Sequence, residues 1–312
     1  MIAPLIYVWI GAQLPPWAAD SLKISRELCG VKTILLTNST VNKISCVDKH
    51  IYIEDFYDAP ISSDKDYIFT NNFRGGFWLR ALERFLVLRK YLFCSDIEKA
   101  FHAELDNIIF DLSGMQDKLD SLGSGFFCPR DSLDRGIASL VYINDYSSLE
   151  CFNKVDLNAT GPTFNDMTFL GSNLKQSDRF YSLPTENSLE ISVPKKWDFI
   201  EPNLLGGIFD AASIGQYLFG VDTRNTFFPS FNGFVNENSG NNLKNLRFKI
   251  DLDASSCLVS LPEFGIGYKL FNIHVHSKIF GIIKHSDVMY GIINRMNLGK
   301  KTLIKKTIGY GH

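Results

Sequence analysis

The chain has 312 residues, 45% of them hydrophobic and 21% charged, with a formal net charge of −2. This composition gives ample core for one large globular domain, or a domain with an appendage, and excludes bulk attraction to nucleic acid. The six cysteines, at 29, 46, 94, 128, 151 and 257, form no CxxC pair and no even framework, so they read as small buried residues in a reducing compartment.

Residues 4–10 form an apolar run that ends at Gly11. It lacks a basic leader region and a small-residue cleavage site, so it reads as a buried strand and not as a signal peptide. No run reaches the roughly 18 apolar residues of a membrane-spanning helix, and a cytoplasmic protein is expected. Pro15 and Pro16 open a helix over Trp17–Leu28, since proline suits a first turn. Val31–Leu36 and Ile51–Ile53 are short β-branched runs. Strand, helix and strand at this spacing predict a mostly parallel sheet.

Phe77–Tyr91 is the clearest helix, with Trp78, Leu82, Phe85, Leu86 and Leu88 on an apolar side and Arg80, Glu83, Arg84 and Arg89 on a polar one. It leads to Phe-His-Ala-Glu-Leu-Asp at 101–106. On a strand, His102, Glu104 and Asp106 would share one face. Two carboxylates converging before a turn can hold a hard divalent cation, which in turn can bind phosphate. The plain alternative is an acidic strand end in water.

Further along, Ile137–Asn144 reads as a strand, Asn165–Leu174 as a short helix, and Phe209–Phe219 as a helix opened by Asp210. Residues 232–247 are rich in Asn and Gly and read as a loop, followed by late strands at Leu258–Ser260 and Leu270–His276. The expected division is one core over residues 1–283, with a donor half to about residue 110 and an acceptor half from 111, and a basic tail over 284–312. From Lys269 onward, eight basic residues stand against the single acid Asp287, a balance of +7.

The ordered set "PLIYVWIGAQLPPW", an Arg-bearing helix, an acid-x-acid segment and a late His-bearing strand resembles the metal-dependent nucleotide-sugar glycosyltransferases of the GT-A fold. The likeness lies with the sugar-binding group that carries a DxD motif. It spans about residues 4–110 and returns at 163–185, 206–225 and 271–278. The resemblance implies an α/β fold, a Rossmann-like, mostly parallel sheet flanked by helices, to which the chain's own charge pattern adds a small helical, basic C-terminal appendage.

In the site that the resemblance implies, Val8, Trp9, Ile10 and Gly11 receive the base and ribose, at the carboxyl end of a strand where such ligands bind. Arg84, with Arg80 one turn earlier, meets phosphate or carboxylate oxygens. Glu104, Asp106 and His276 hold Mn²⁺ or Mg²⁺, with His274 the weaker choice of the two histidines, and Lys278 meets the diphosphate. Imidazole favours Mn²⁺. Asp166, Asp210 and Glu263 are acceptor-side carboxylates able to serve as a base, Asp210 also being placed to cap a helix.

The implied partners are a nucleotide-sugar donor, with UDP-sugars favoured, and a glycan or lipid-linked glycan acceptor. The tail interleaves lysines with apolar residues, which suits either contact with an anionic bilayer or packing on the core. Two departures stand out: Glu-x-Asp replaces Asp-x-Asp, and no Gly-Gly turn precedes it. They keep open a non-catalytic carbohydrate- or partner-binding relative. A sugar nucleotidyltransferase would need a basic, Gly-rich loop after the first strand, where this chain has Gly11-Ala-Gln-Leu-Pro-Pro.

Overall fold

Strand β1 (Leu5–Trp9) and strand β2 (Thr33–Thr37) are buried on both faces apart from the half-buried Trp9, as expected of parallel strands covered by helices. The structure, a computed structural model, describes residues 2–58, 76–155, 164–189, 198–222, 233–235, 238–239, 241–251, 254–261 and 266–283. Helix α1 (Ala18–Leu28) links the two strands, and β3 (Lys49–Tyr52) extends the sheet beside β2. Then follow α2 (Phe77–Cys94), β4 (Ala100–Ala103), β5 (Asn107–Ile109), α3 (Met115–Asp120), β6 (Phe126–Ser132), β7 (Arg135–Gly136) and β8 (Leu140–Ile143). The later elements are α4 (Asp166–Gln176), β9 (Phe180–Leu183), α5 (Pro202–Leu205), β10 (Gly207–Ile208) and α6 (Ser213–Phe219). The described chain closes with β11 (Arg247–Asp251), β12 (Ser256–Leu261), β13 (Ile266–Leu270), β14 (Asn272–His274) and α7 (Phe280–Ile283).

The central sheet runs β3-β2-β1-β4-β8-β6-β7, with β9 beside β6. Pairs β3/β2, β2/β1, β1/β4 and β6/β9 are parallel, while β8 and β7 run against their neighbours. This is the mixed α/β architecture, a mostly parallel sheet flanked by helices, that the sequence predicts.

Alternation along the strands divides the core. Leu5, Tyr7, Leu35 and Phe101 pack with Leu22 of α1 on one face. Ile6, Val8, Ile34 and Leu36 pack with Leu82, Phe85 and Leu88 of α2 on the other. A third cluster joins α6 to a smaller sheet of order β10-β13-β12-β11. Burying one such Leu, Ile or Phe contributes about 1.5–3 kcal/mol, so the three clusters hold the layers together.

Four expectations change. Strand β4 stops at Ala103, and Glu104–Asp106 form the turn into β5, so the acids do not continue a strand face. His102 is fully buried, with Nδ1 2.9 Å from the Ile6 carbonyl and its ring edge-on to Phe85, and is not part of the group that Glu104 and Asp106 form with His274. The late run splits after Leu270, because β13 belongs to the small sheet whereas β14 crosses to pair with β5. The helix expected from Phe209 begins only at Ser213, since Gly207–Ile208 pair with β13 first.

Glu263 and the tail over 284–312 lie outside the described residues, as does much of the Asn/Gly-rich stretch. No described helix is long and apolar enough to cross a membrane.

Candidate functional site

Parallel pairing of β1 with β4, Leu5 opposite Phe101 and Ile6 opposite His102, brings the ends of both strands to one edge of the sheet. The 104–106 turn therefore emerges beside Trp9–Gly11, at the carboxyl edge where open α/β sheets bind ligands. Strand β14 returns antiparallel to β5 and sets His274 opposite Asn107, next to the same turn.

Polar groups brace the turn from below. Ser21 and Ser25, one turn apart on α1, donate to the Asn107 carbonyl at 3.1 and 3.0 Å. Asn272 Nδ2 donates to Asn107 Oδ1 at 2.9 Å, and the Val275 N–H donates to the Asp106 carbonyl at 2.8 Å. The sequence reading missed Asn107 and Asn272; a buried asparagine adjoining an acid pair was the available signal.

Glu104, Asp106 and His274 each offer a ligand atom, and these atoms lie within 4.8 Å of one another, the one such group among the described residues. His274 Nε2 is 3.2 Å from Asp106 Oδ1 and 3.6 Å from Glu104 Oε2. Its buried Nδ1 has no hydrogen-bond partner. Two carboxylates and an imidazole suit Mn²⁺, while Mg²⁺ prefers oxygen and water, so the donor set fits a divalent ion.

Three cations compensate the acids. Arg84 forks, with Nη1 donating to Glu104 Oε1 and Nη2 to Asp166 Oδ2, both at 2.7 Å. Lys278 Nζ donates to Asp106 Oδ2 at 2.9 Å. Burial opposes the charge of Asp106, yet Lys278 and His274 hold its carboxyl well below the usual range. Burial likewise opposes protonation of His274, but the Asp106 and Glu104 carboxylates outweigh it and raise the imidazole to about 9. Metal binding at neutral pH therefore requires His274 to release a proton. Burial lifts Asp166 to about 6, although Arg84 pulls the other way.

The remaining predicted residues fall in several places. Val8 is buried in the core against α2, not open to a ligand. Trp9, half-buried at the end of β1, donates from Nε1 to the Gln13 carbonyl at 2.9 Å. Gly11 donates its N–H to Asn38 Oδ1 at 2.9 Å, and a Cβ there would stand 3.1 Å from Trp9 Nε1. Arg80 pairs with Glu83 of its own helix at 3.1 Å. Arg84 and Glu83, expected on the polar side of that helix, are 8% and 3% exposed, Arg84 reaching the Glu104 and Asp166 carboxylates and Glu83 paired with Arg80. Of the two partners expected for it, phosphate or carboxylate, Arg84 takes protein carboxylates.

Asp210 is fully buried, and its carboxylate accepts from the N–H groups of Ala212, Ile214, Gly215 and His274 at 2.8–3.0 Å. It caps α6 and braces β14, leaving no acceptor capacity directed at a substrate hydroxyl. Asp166 opens α4 behind the Asn165 cap.

His276, expected among the ligands, stands outside the cluster, and His274 takes the place given to it. The strand ends at His274, and the His276 N–H donates to the His274 carbonyl at 2.8 Å in a tight turn, so alternation does not carry on. His276 Nδ1 instead accepts from the Asp222 N–H at 2.9 Å. Burial, with His274 and Lys278 nearby, lowers His276 to about 4. Asp222, 3.6 Å from Lys278 Nζ, is a further site residue that no local pattern announced.

No family model and no curated protein matches the chain. Among solved structures it is similar to mouse xyloside xylosyltransferase 1 in its apo form, at 10% identity and a TM-score of 0.36, over 58% of this chain and 85% of that one. It is similar to the galactosyltransferase LgtC in complex with donor and acceptor sugar analogs, at 11% identity and a TM-score of 0.35, over 59% of this chain and 74% of that one. The glycosyltransferase GlyE of Streptococcus pneumoniae TIGR4 aligns at 14% identity and a TM-score of 0.32, over 60% of this chain and 46% of that one.

Proposed function

We propose that the chain is a GT-A glycosyltransferase that moves a sugar from a nucleotide-diphosphate donor, a UDP-sugar by preference, to a glycan or lipid-linked glycan. The observation that carries this reading is the convergence of Glu104, Asp106 and His274 at the carboxyl edge of the sheet, beside the end of β1. Glu104 and Asp106 would offer oxygens and His274 its Nε2 to Mn²⁺ or Mg²⁺. When bound, such an ion supplies a Lewis acid for the leaving diphosphate.

The chain's own residues divide the remaining tasks. Arg84 holds Glu104 and Asp166 at fixed spacing through its two-pronged fork. Asp166, largely ionised at neutral pH with its carboxyl at about 6, would be the candidate to accept the proton of a sugar hydroxyl. Lys278 brings positive charge to a phosphate. Trp9 and Gly11 offer a ring and a closely approachable backbone to the base and ribose. Positioning of an acceptor hydroxyl by this frame removes several kcal/mol of barrier. The basic tail from residue 284 extends the proposal to peripheral contact with an anionic membrane, beside a lipid-linked acceptor.

A second reading, a non-catalytic carbohydrate-binding relative, draws on the compensation of the acid pair by Arg84, His274 and Lys278. A panel of UDP-, GDP-, CMP- and dTDP-sugars, tested for binding and turnover with and without Mn²⁺, separates the two. The transferase reading expects one nucleotide to bind more tightly with Mn²⁺ and its sugar to be released or transferred. Binding of glycans alone, indifferent to the ion, would favour the second reading.

A further inference from the structure

Lys278 stands where a site cation would compete with it. Its Nζ is 2.9 Å from Asp106 Oδ2 and 3.6 Å from Asp222 Oδ2, and donates to the His276 carbonyl at 3.2 Å. The ammonium also lies 5.7 Å from the centre of the Trp17 ring. Its backbone has φ of 60°, the left-handed region that lysine seldom adopts, and its N–H donates to the Val275 carbonyl at 2.9 Å. The tight turn after β14, and not the preference of lysine, puts the ammonium there.

Asp222, just beyond α6, is tied to the same turn, because its N–H donates to His276 Nδ1 at 2.9 Å. The ammonium thus has two carboxylate seats. An ion taken up on Asp106 Oδ1, the oxygen that faces His274, would stand close to the ammonium on Oδ2, and the two cations would repel each other. A bare ion leaves that repulsion uncompensated and turns the ammonium toward Asp222. A diphosphate arriving with the ion gives it a new anionic partner.

We infer that Lys278, seated between Asp106 and Asp222, makes the site select a metal–diphosphate complex over the bare divalent cation. This rests on the metal reading of Glu104, Asp106 and His274. Binding of the ion and of the diphosphate is then positively coupled through one side chain, and the coupling is reciprocal.

The test is calorimetric titration of the full chain with Mn²⁺ alone and with the Mn²⁺ complex of inorganic pyrophosphate. The wild type, Lys278→Met and Arg89→Met are compared. Arg89→Met removes a positive charge from α2 at the solvent-facing pair with Glu150, away from the acid pair, and Lys278→Gln stands in if the methionine variant does not fold. Lys278→Met should bind bare Mn²⁺ at least ten-fold more tightly than wild type and lose most of the preference for the pyrophosphate complex. Arg89→Met should change neither by more than two-fold. Unaltered affinity of Lys278→Met for bare Mn²⁺, or an equal gain in Arg89→Met, would overturn the inference while leaving the metal site standing. Absence of Mn²⁺ binding to every protein, with or without pyrophosphate, would remove the metal reading and the inference together.

Discussion

Asp106 and Asp210 flank the same histidine yet are held in opposite ways. His274 presents Nε2 to Asp106 at 3.2 Å, while its backbone N–H donates to Asp210 at 2.9 Å. Asp210 is closed off by four backbone N–H groups, and burial raises its pKa. The Asp106 carboxylate is met by the side-chain cations Lys278 and His274, and they hold its pKa well below the usual range. Backbone donors cannot leave without unfolding a turn, whereas a lysine or an imidazolium can exchange its place with an incoming ion. The contrast separates a fully buried carboxylate held by architecture from a half-buried one held by exchangeable side chains, although both adjoin the same histidine.

The largest effect should come from breaking the link between the cluster and the core. Arg84→Met would leave Glu104 and Asp166 with no cation between them, lowering stability by about 3–5 kcal/mol in chemical denaturation. Arg84→Lys should recover only part of the loss, because one ammonium does not reproduce the fork. Full recovery by lysine would show that charge alone matters.

Asp210→Ala tests the architectural carboxylate. Removal of an acceptor from buried N–H groups should cost about 3 kcal/mol by the same measurement. A variant as stable as wild type but inactive would reverse the assignment and return Asp210 to the substrate.

A pH-dependent effect is expected next to Asp210. Glu186 is buried, and burial together with the Asp210 charge lifts it from its ordinary 4.5 to about 8. The folded chain therefore keeps a proton that the unfolded chain releases, and stability falls as pH rises from 4.5 to about 8. Melting curves should show Glu186→Gln flattening this decline, with its advantage over wild type growing toward pH 8. A pH-independent difference between the two would contradict the shift.

The smallest effect is expected at His276. His274→Ala should weaken Mn²⁺ binding by roughly ten-fold or more, and His276→Ala should weaken it less, because His276 stands outside the ligand group. Titrations that rank them the other way would restore His276 as the ligand.

The parallel strands, α1, α2 and the acid pair were legible because each rests on a local pattern: β-branched runs, an amphipathic period, carboxylates two apart. What escaped was set by long-range pairing. Strand alternation could not choose between His274 and His276, since the tight turn after β14 breaks the period. The polar side of α2 could not be known as buried until Asp166, 82 positions further on, met Arg84. Asp222 enters through a backbone bond to His276, 54 positions away, and no local composition encodes that.

The central claim is that Asp106, unlike Asp210, can exchange its protein cations for a metal that carries a nucleotide diphosphate. Its most direct test is equilibrium binding of UDP and GDP to wild type and Asp106→Asn, with Mn²⁺ present and after chelation. Mn²⁺ should tighten binding of one nucleotide to the wild type at least ten-fold, and Asp106→Asn should lose that gain while keeping its fold by circular dichroism. Equal binding to the wild type with and without the ion would contradict the account.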